Sequence, residues 1–250
     1  MLPTAETALA SIYRDEILSE ADLPRKFFAY TPCFRREAGS HRADERGMVR
    51  GHQFNKIEMF QYTLPEKSDE AFEELVTKAE NLVKGLGFHF RTVKLAAGDC
   101  SASMARTYDI EIQIPSMNGY KEVSSVSNAR DYQARRGNIR FKREATGKTE
   151  FVHTLNGSGL ATSRIFPAMV EQNQRADGSI VVPEVLRKYL GGLEGIVKNG
   201  AIPRLRPSSA IRAWWRCPGG PSRPARTAWC WPSWRGKTPR ALPRIVPPSL

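Results

Sequence analysis

Residues 31–62 have the sequence TPCFRREAGSHRADERGMVRGHQFNKIEMFQY, and this stretch decides the fold. Aromatic and β-branched residues at 27–34 favour a strand. Residues 53–62 alternate with a period of two, which predicts a second strand. One face of that second strand carries Phe54, Lys56, Glu58, Phe60 and Tyr62. The stretch therefore predicts a hairpin of two long strands joined by a charged loop that contains glycines.

The base of this loop collects side chains suited to binding a nucleotide. The predicted hairpin places Arg35 and Glu37 beside Phe54 and Glu58. An arginine offers a planar fork for phosphate oxygens, a phenyl ring offers a face for a stacked purine, and carboxylates accept hydrogen bonds from an amine or an ammonium. The loop adds positive charge through Arg36, His41, Arg42, Arg46 and Arg50. A solvated hairpin with a charged tip is the alternative that charge alone suggests.

Composition divides the chain into two parts. The net charge is +12, yet residues 195–250 contain no Asp or Glu and carry nine Arg, two Lys and all five Trp. Residues 1–194 hold 27 basic and 26 acidic residues, an ordinary globular balance. We therefore expect one folded domain at 1–194 and a basic Arg/Pro/Trp-rich tail at 195–250 that is disordered. RNA binding through charge and stacking is the alternative for the tail.

Targeting and redox signals are absent from the sequence. None of the four cysteines forms a CxxC pair, so the sequence indicates neither a zinc knuckle nor a disulfide framework. The N-terminus lacks the basic and apolar segments of a signal peptide. No run of residues is apolar enough to span a membrane. These features predict a cytoplasmic protein with no membrane association.

Hydrophobic periodicity and turn residues place the other elements. Helices are expected at 2–18, 68–86, 160–173 and 181–192, and strands at 88–95, 108–114, 120–126 and 150–156. In the first helix Thr4 is a candidate N-cap and Glu6 a favourable first-turn charge. The glycine-flanked Ser158 predicts a tight turn before the third helix, and Pro167 predicts a kink within it. The apolar stripe of the second helix comprises Phe72, Leu75, Val76, Ala79, Leu82, Val83 and Leu86.

A possible metal site lies in the strand predicted at 120–126. The Glu122 carboxylate and the Ser125 hydroxyl are hard oxygen ligands suited to magnesium that bridges nucleotide phosphates. Ideal pleating places the two side chains on opposite faces, so a shared ion requires a bulge in the strand. Two polar residues on an exposed sheet face are the alternative.

Several phrases, in order along the chain, resemble the seryl-tRNA synthetases among the class II aminoacyl-tRNA synthetases. Motif 2 of that class resembles TPCFRREAG…RGMVRGHQFNKIEMF, and motif 3 resembles HTLNGSGLATSRIF. Further phrases typical of the seryl enzymes are LPTAETAL, KEVSSVSNARDYQARRGNIRF and VVPEVLRKYLGG. The resemblance implies an α+β fold, with an antiparallel sheet flanked by helices. It also implies a core truncated at the N-terminus, because the tRNA-gripping arm and motif 1 are expected to be missing.

The resemblance also implies an activity: ATP-dependent conversion of L-serine to seryl-adenylate, then transfer of serine to the 3′ end of tRNA(Ser). The implied cofactors are ATP and Mg²⁺, and the intact family forms a homodimer through motif 1. The implied catalytic residues are Arg35 and Arg164, and Glu122 and Ser125 would hold Mg²⁺. The implied ATP contacts are Arg35, Arg36, Glu37, Phe54, Glu122, Val123, Ser124, Ser125 and Arg164. The implied serine contacts are Thr4, Ala5, Glu6, Glu58, Asn156 and Ser158.

Small departures from the family pattern leave these positions intact. Val126 and Ala129 stand where cysteines are frequent, and Thr162-Ser163 replaces a frequent Val-Gly. Two alternative functions remain open. One is an arm-less ligase that loads an amino acid onto a carrier other than tRNA. The other is a non-catalytic remnant that binds nucleic acid or a synthetase partner.

Overall fold

The computed structural model describes residues 1–37 and 47–197. These residues form a six-stranded antiparallel sheet. Its strands are β2 (Arg25–Phe34), β3 (Gln53–Thr63), β4 (Phe90–Lys94), β5 (Arg106–Ile114), β6 (Gly119–Arg130) and β9 (His153–Ala161). Their order across the sheet is β2-β3-β9-β6-β5-β4. The predicted hairpin is confirmed, because β2 pairs with β3 from Arg25 opposite Tyr62 to Phe34 opposite Gln53.

Two small sheets complete the strands of the described residues. Their strands are β1 (Ile17–Ser19), β7 (Arg140–Lys142), β8 (Thr149–Phe151), β10 (Ile180–Val181) and β11 (Gly195–Ile196). In the first sheet, β1 pairs parallel with β7, and β7 pairs antiparallel with β8. In the second sheet, β10 pairs antiparallel with β11.

Helices cover parts of this framework and confirm the predicted α+β class. They are α1 (Glu6–Leu9), α2 (Ser68–Gly85), α3 (Tyr132–Gly137), α4 (Thr162–Gln172) and α5 (Glu184–Arg187). Pro167 lies inside α4, as the sequence predicts.

Two apolar cores lie against the sheet. In the first, Phe72 and Leu75 of α2 pack with Ile110 of β5 and Leu155 of β9. In the second, Phe60 and Tyr62 of β3 pack with Leu9 of α1. Each large apolar side chain buried in this way stabilises the fold by about 1.5–3 kcal/mol. The second core fixes the segment that carries Thr4 and Glu6 against β3.

The helix predicted at 2–18 is wrong in its length. The helix α1 has four residues, turns follow it, and β1 begins at Ile17. Asp15 has a left-handed backbone (φ 62°) and donates its N–H to the carbonyl of Gly137 at 2.8 Å, which directs the chain towards pairing with β7. Tertiary pairing thus overrides a local helical pattern. The N-cap position belongs to Ala5 rather than Thr4.

The predicted turn at Ser158 is also wrong. Residues 150–156 divide between β8 and β9, and Ser158 lies within β9, so the following helix begins at Thr162 instead of 160. The neighbouring glycines serve close packing. A Cβ at Gly157 would lie 3.1 Å from the Val126 side chain, and one at Gly159 would lie 3.3 Å from Met59 Sδ. Glycine inside a strand is often a mark of such close approach.

The final predicted helix, at 181–192, is shorter than expected. Pro183 precedes α5, and the helix ends at Arg187. Gly191 and Gly192 have φ angles of 66° and 84°, a conformation that glycine adopts without strain. The tail beyond residue 197 lies outside the described residues, as do His41, Arg42 and Arg46.

Two further expectations concern cysteines and membranes. Cys33 and Cys100, the cysteines within the described ranges, are free. In that same part of the chain, none of the helices is both long and apolar enough to cross a membrane.

One residue of the predicted α2 stripe differs from its neighbours. Leu82 is 44% exposed, whereas Leu75 is 1% exposed. Leu75→Ala is expected to lower the free energy of unfolding by about 2–5 kcal/mol, because it leaves a cavity in the first core. Leu82→Ala removes the same atoms from the same helix and should cost about 0.5 kcal/mol. Urea denaturation followed by circular dichroism measures both. Equal losses would contradict this packing of α2.

Candidate active site

A polar cleft of about 510 Å³ lies over the face of the sheet that Phe54, Lys56 and Glu58 share. A volume of this size is typical of small-molecule sites. Most of the site residues predicted from the sequence line it: Thr4, Glu6, Arg35, Glu37, Phe54, Glu58, Glu122, Val123, Ser125, Asn156, Ser158 and Arg164. The structure thus brings the start of the chain, the hairpin, β6, β9 and α4 to one place.

Three predicted residues are not among those that line the cleft. Ala5 is buried in the second core, with 1% exposure. Arg36 is exposed. Ser124 is fully buried and donates its hydroxyl to the carbonyl of Ser158 at 2.6 Å. Ser124 therefore connects β6 to β9 beneath the cleft.

One end of the cleft is lined by buried polar groups on β3 and β9. Glu58 is 1% exposed and accepts a hydrogen bond from Asn156 Nδ2 at 3.3 Å. The Oδ1 atom of Asn156 is buried and has no hydrogen-bond partner among the described residues. Opposite Glu58, β9 has one extra residue between Ser158 and Ala161, since Lys56 pairs with Ala161 and Glu58 with Ser158. Such bulges are frequent beside active sites.

Glu6 adds a second carboxylate to this end. Its Oε1 accepts a hydrogen bond from Gln133 Nε2 at 2.7 Å, and Gln133 in turn accepts one from Thr154 at 2.7 Å. Burial raises the pKa of the Glu6 carboxyl above its usual value, the Gln133 bond opposes that rise, and the charge of Glu58 adds to it. The positive charge of Lys56 lowers the pKa, so the ionised form of Glu6 depends on a neighbouring cation.

The other end of the cleft joins an arginine to an aromatic ring. The Cζ atom of Arg35 lies 5.1 Å from the centre of the Phe54 ring, a cation–π arrangement. Arg35 Nε also donates to the carbonyl of Pro3 at 3.3 Å. The guanidinium thus links the hairpin to the start of the chain.

Glu37 and Arg50 form an ion pair at the two ends of the loop. Each side chain is 17% exposed. Glu37 has a left-handed backbone, with φ 54°, which is uncommon outside glycine and asparagine. The pair holds both ends of the loop at the cleft. It also occupies the Glu37 carboxylate, which the sequence predicts to accept a hydrogen bond from an amine.

Arg164, on α4, reaches β6 across the cleft. Its Nη1 donates to the carbonyl of Glu122 at 2.7 Å, and its Nε donates to the carbonyl of Val49 at 3.0 Å. The Glu122 carboxylate is 3.8 Å from Nη1. Two backbone carbonyls thus orient the guanidinium, which leaves it suited to contact an anionic group.

The bulge that the metal prediction requires is present. Ser124 pairs with Ile110 but Glu122 pairs with Glu111, so Val123 is the extra residue on β6. The extra residue brings Glu122 and Ser125 to the same face, and both line the cleft. Within residues 1–37 and 47–197, no group of three or more His, Cys, Asp or Glu side chains is placed to hold a metal ion.

Lys56 is a cleft residue that the sequence reasoning left out of the site. The alternation of β3 had placed it between Phe54 and Glu58, so the signal was present. The alternation alone does not reveal its burial, and buried lysines are rare. Residues after β4 were also missed, because their irregular loop has no periodicity: Leu95, Asp99, Ser101, Ser103 and Met104.

The fold and the site together define a class of protein. Residues 1–173 match the tRNA synthetase class II core domain (G, H, P, S and T), and the chain belongs to this family. The class predicted from motifs 2 and 3 is confirmed.

Two relatives similar in sequence to this chain are serine–tRNA ligases. The chain is 74% identical over 191 residues to serine–tRNA ligase 2 of Clostridium acetobutylicum, a match that covers 76% of this chain and 45% of the relative. It is 53% identical over 199 residues to the serine–tRNA ligase of Desulforapulum autotrophicum, covering 80% and 47%. The chain spans about half the length of the curated relatives it matches.

Two solved structures of seryl-tRNA synthetases also match the fold of this chain. The seryl-tRNA synthetase of Pyrococcus horikoshii, complexed with ATP, superposes with a TM-score of 0.75 at 43% identity over 79% of this chain and 44% of that one. The cytoplasmic serine–tRNA ligase of Naegleria fowleri, in complex with AMP, gives 0.74 at 35% identity over 80% and 47%.

The raised pKa of Glu6 makes a prediction about stability. The contribution of Glu6 to stability should be lost as the pH rises from the ordinary value of 4.5 through the higher folded-state pKa, because the folded state disfavours the ionised carboxyl. Glu6→Gln does not titrate. Its stability relative to wild type should therefore increase over that interval and then level off. Urea unfolding from about pH 4 to about pH 8 measures the difference.

An exposed glutamate provides the control for this experiment. Glu144→Gln removes a carboxylate that faces solvent, and its stability relative to wild type should show no such increase. A Glu6→Gln difference that stays flat or falls with rising pH would contradict the assigned burial of Glu6.

Proposed function

We propose that this chain carries the adenylation site of a serine–tRNA ligase. It would use ATP to convert L-serine to seryl-adenylate and pyrophosphate, and would then transfer serine to the 3′ end of tRNA(Ser). One observation carries the proposal: a single cleft joins the buried Glu58 and half-buried Glu6 carboxylates at one end to an arginine and an aromatic ring at the other. Such a cleft suits a small ammonium ligand beside a nucleotide.

Acceptor oxygens without a hydrogen-bond donor support the assignment of serine to one end of the cleft. A serine offers an ammonium and a hydroxyl, both donors. Glu58 and Asn156 offer buried acceptor oxygens, and Asn156 Oδ1 has no partner among the described residues. A buried acceptor without a donor is costly, so a ligand that supplies one gains affinity. Thr4, Glu6 and Ser158 complete this end, whose contacts suit a small polar side chain.

The nucleotide end is supported by charge and by the relatives. Arg35 and Arg164 provide cations for phosphate oxygens, and Phe54 provides a ring for adenine. The synthetases of Pyrococcus horikoshii and Naegleria fowleri have structures with ATP and with AMP. We assign ATP contacts to the lining residues Arg35, Glu37, Phe54, Glu122, Val123, Ser125 and Arg164. Arg36 is exposed and outside the cleft, so we assign it no ATP contact. Ser124 acts only indirectly, by holding Ser158.

Magnesium fits the same cleft. Glu122 and Ser125 would hold it through a carboxylate and a hydroxyl oxygen, the hard oxygen ligands that magnesium prefers. The bulge at Val123 supports this assignment because it puts both oxygens on one face. The ion would offset negative charge on the phosphates.

The proposed reaction requires positioning and charge stabilisation rather than a protein nucleophile. The serine carboxylate attacks the α-phosphorus, a P–O bond forms, and the bond to the bridging oxygen breaks as pyrophosphate leaves. Arg35 would stabilise the charge that develops at the α-phosphate. Arg164, oriented by two backbone carbonyls, would hold the γ-phosphate of the leaving group. The second step would follow at the same site, with the terminal hydroxyl of tRNA as acceptor.

Transfer to tRNA and a cytoplasmic location rest on the named relatives, one of which is called cytoplasmic. The arm-less ligase acting on another carrier would share the whole cleft. The acceptor therefore has to be tested separately, after the first step has been established.

Adjacent arginines on the hairpin give a matched test of the first step. Serine-dependent exchange of pyrophosphate into ATP reports adenylate formation. Arg35→Ala should lower the exchange rate by about 10²–10³-fold, because it removes one charge-stabilising donor. Arg36→Ala removes the same side chain one residue away, outside the cleft, and should change the rate by less than about threefold.

The same exchange assay, run with alanine in place of serine, measures specificity for the amino acid. A site that hydrogen-bonds a hydroxyl can reject an analogue without it by roughly 10⁴–10⁵-fold, so alanine should give no measurable exchange. Exchange with alanine as fast as with serine would contradict the proposal. Equal losses in Arg35→Ala and Arg36→Ala would contradict the assigned nucleotide end.

A further inference from the structure

Lys56 is an unusual residue for the interior of a sheet. It is 9% exposed, lies on β3 between Phe54 and Glu58, and points into the cleft with them. A lysine is almost never buried without a partner, because taking an ammonium out of water is costly. The groups that surround Lys56 should therefore explain why it is there.

Two contacts hold the ammonium. Lys56 Nζ donates a hydrogen bond to Thr4 Oγ1 at 2.9 Å. It also lies 2.5 Å from Glu58 Oε2, but that carboxylate oxygen has no aligned hydrogen bond among the described residues. The contact is thus an ion pair, and Oε2 makes no hydrogen bond within the described residues. Through Thr4, the same ammonium connects β3 to the segment that precedes α1.

The charges around Lys56 do not balance without a ligand. Lys56 is faced by Glu58 on its own strand and by Glu6 on α1, and β9 contributes the neutral Asn156 and Ser158. One ammonium therefore meets two carboxylates, which leaves one negative charge when both are ionised. A ligand with a single ammonium would balance this set.

We propose that Lys56 is a positioning residue for the amino-acid end of the cleft. Its ammonium orients the Glu58 carboxylate, holds Thr4 in place, and leaves one carboxylate charge for the ammonium of the ligand. Without Lys56, no cation offsets the repulsion between the Glu58 and Glu6 carboxylates, and Glu58 loses the contact that orients it towards the ligand. This inference rests on the proposed function, because it takes the ligand to be an amino acid.

The test compares three substitutions at this position in the full 250-residue chain. Lys56→Met removes the charge and keeps the length of the side chain, Lys56→Gln keeps a donor for Thr4, and Lys56→Arg keeps the charge. Serine-dependent exchange gives KM for serine, KM for ATP and kcat for each variant. Lys56→Met and Lys56→Gln should raise KM for serine roughly ten- to a hundredfold and leave KM for ATP within about twofold. Lys56→Arg should recover at least half of that loss on a logarithmic scale.

Lys26 supplies a matched control. It lies on the adjacent strand β2 and pairs with Glu74 of α2 at 2.7 Å, and neither residue lines the cleft. Lys26→Met should therefore leave KM for serine unchanged. If Lys56→Met fails to fold, Lys56→Gln and Lys56→Arg decide the question, since they keep a polar group at this position.

The outcomes separate this inference from the proposed function. A wild-type chain that shows no serine-dependent exchange overturns both. Serine-dependent exchange in wild type, with KM for serine unchanged or lowered in Lys56→Gln, overturns the role of Lys56 alone. Equal increases in KM for serine and ATP would indicate a general loss of structure and would also overturn it. A selective increase in KM for serine, reversed by Lys56→Arg, supports the inference.

Discussion

The two-sided pairing of β3 is the constraint on which the site depends. This strand is hydrogen-bonded to β2 along one edge and to β9 along the other, so its side chains have only two directions available. On one face, Phe54, Lys56 and Glu58 enter the cleft while Phe60 and Tyr62 continue the same row into an apolar core. The core therefore fixes the height and direction of the polar groups, and a shift of one residue would turn both sets to the wrong face.

The same arrangement concentrates destabilising groups in one place. Glu58 and Lys56 are buried, and the carboxyl of Glu6 has a raised pKa because it is buried. Burying charges costs free energy even when they are paired. The two apolar cores offset that cost, since they pack around α1, α2 and the sheet. A site built in this way gives up stability for a preorganised set of charges, and a ligand with a complementary charge recovers part of it.

Much of this could be predicted from the sequence, for identifiable physical reasons. The hairpin and α2 follow from strong periodicity, and the motifs located most of the residues that line the cleft. The glycines around Ser158 led to the wrong prediction of a turn, because glycine is typical both of turns and of close packing. Only the contacts with Val126 and Met59 distinguish the two cases. The bulge at Val123 and the burial of Lys56 depend on contacts between distant segments, which local patterns do not contain.

In the proposed function, one cleft binds serine and the nucleotide side by side. Calorimetric binding of a seryl-sulfamoyl adenosine, a stable analogue of seryl-adenylate, to the full chain tests this arrangement. The analogue should bind at least about 100-fold more tightly than L-serine or AMP alone, because both ends of the cleft are engaged at once. The alanyl analogue should bind much more weakly. An affinity no greater than that of AMP, or equal affinity for the two analogues, would show that the two ends of the cleft do not act together on serine and the nucleotide.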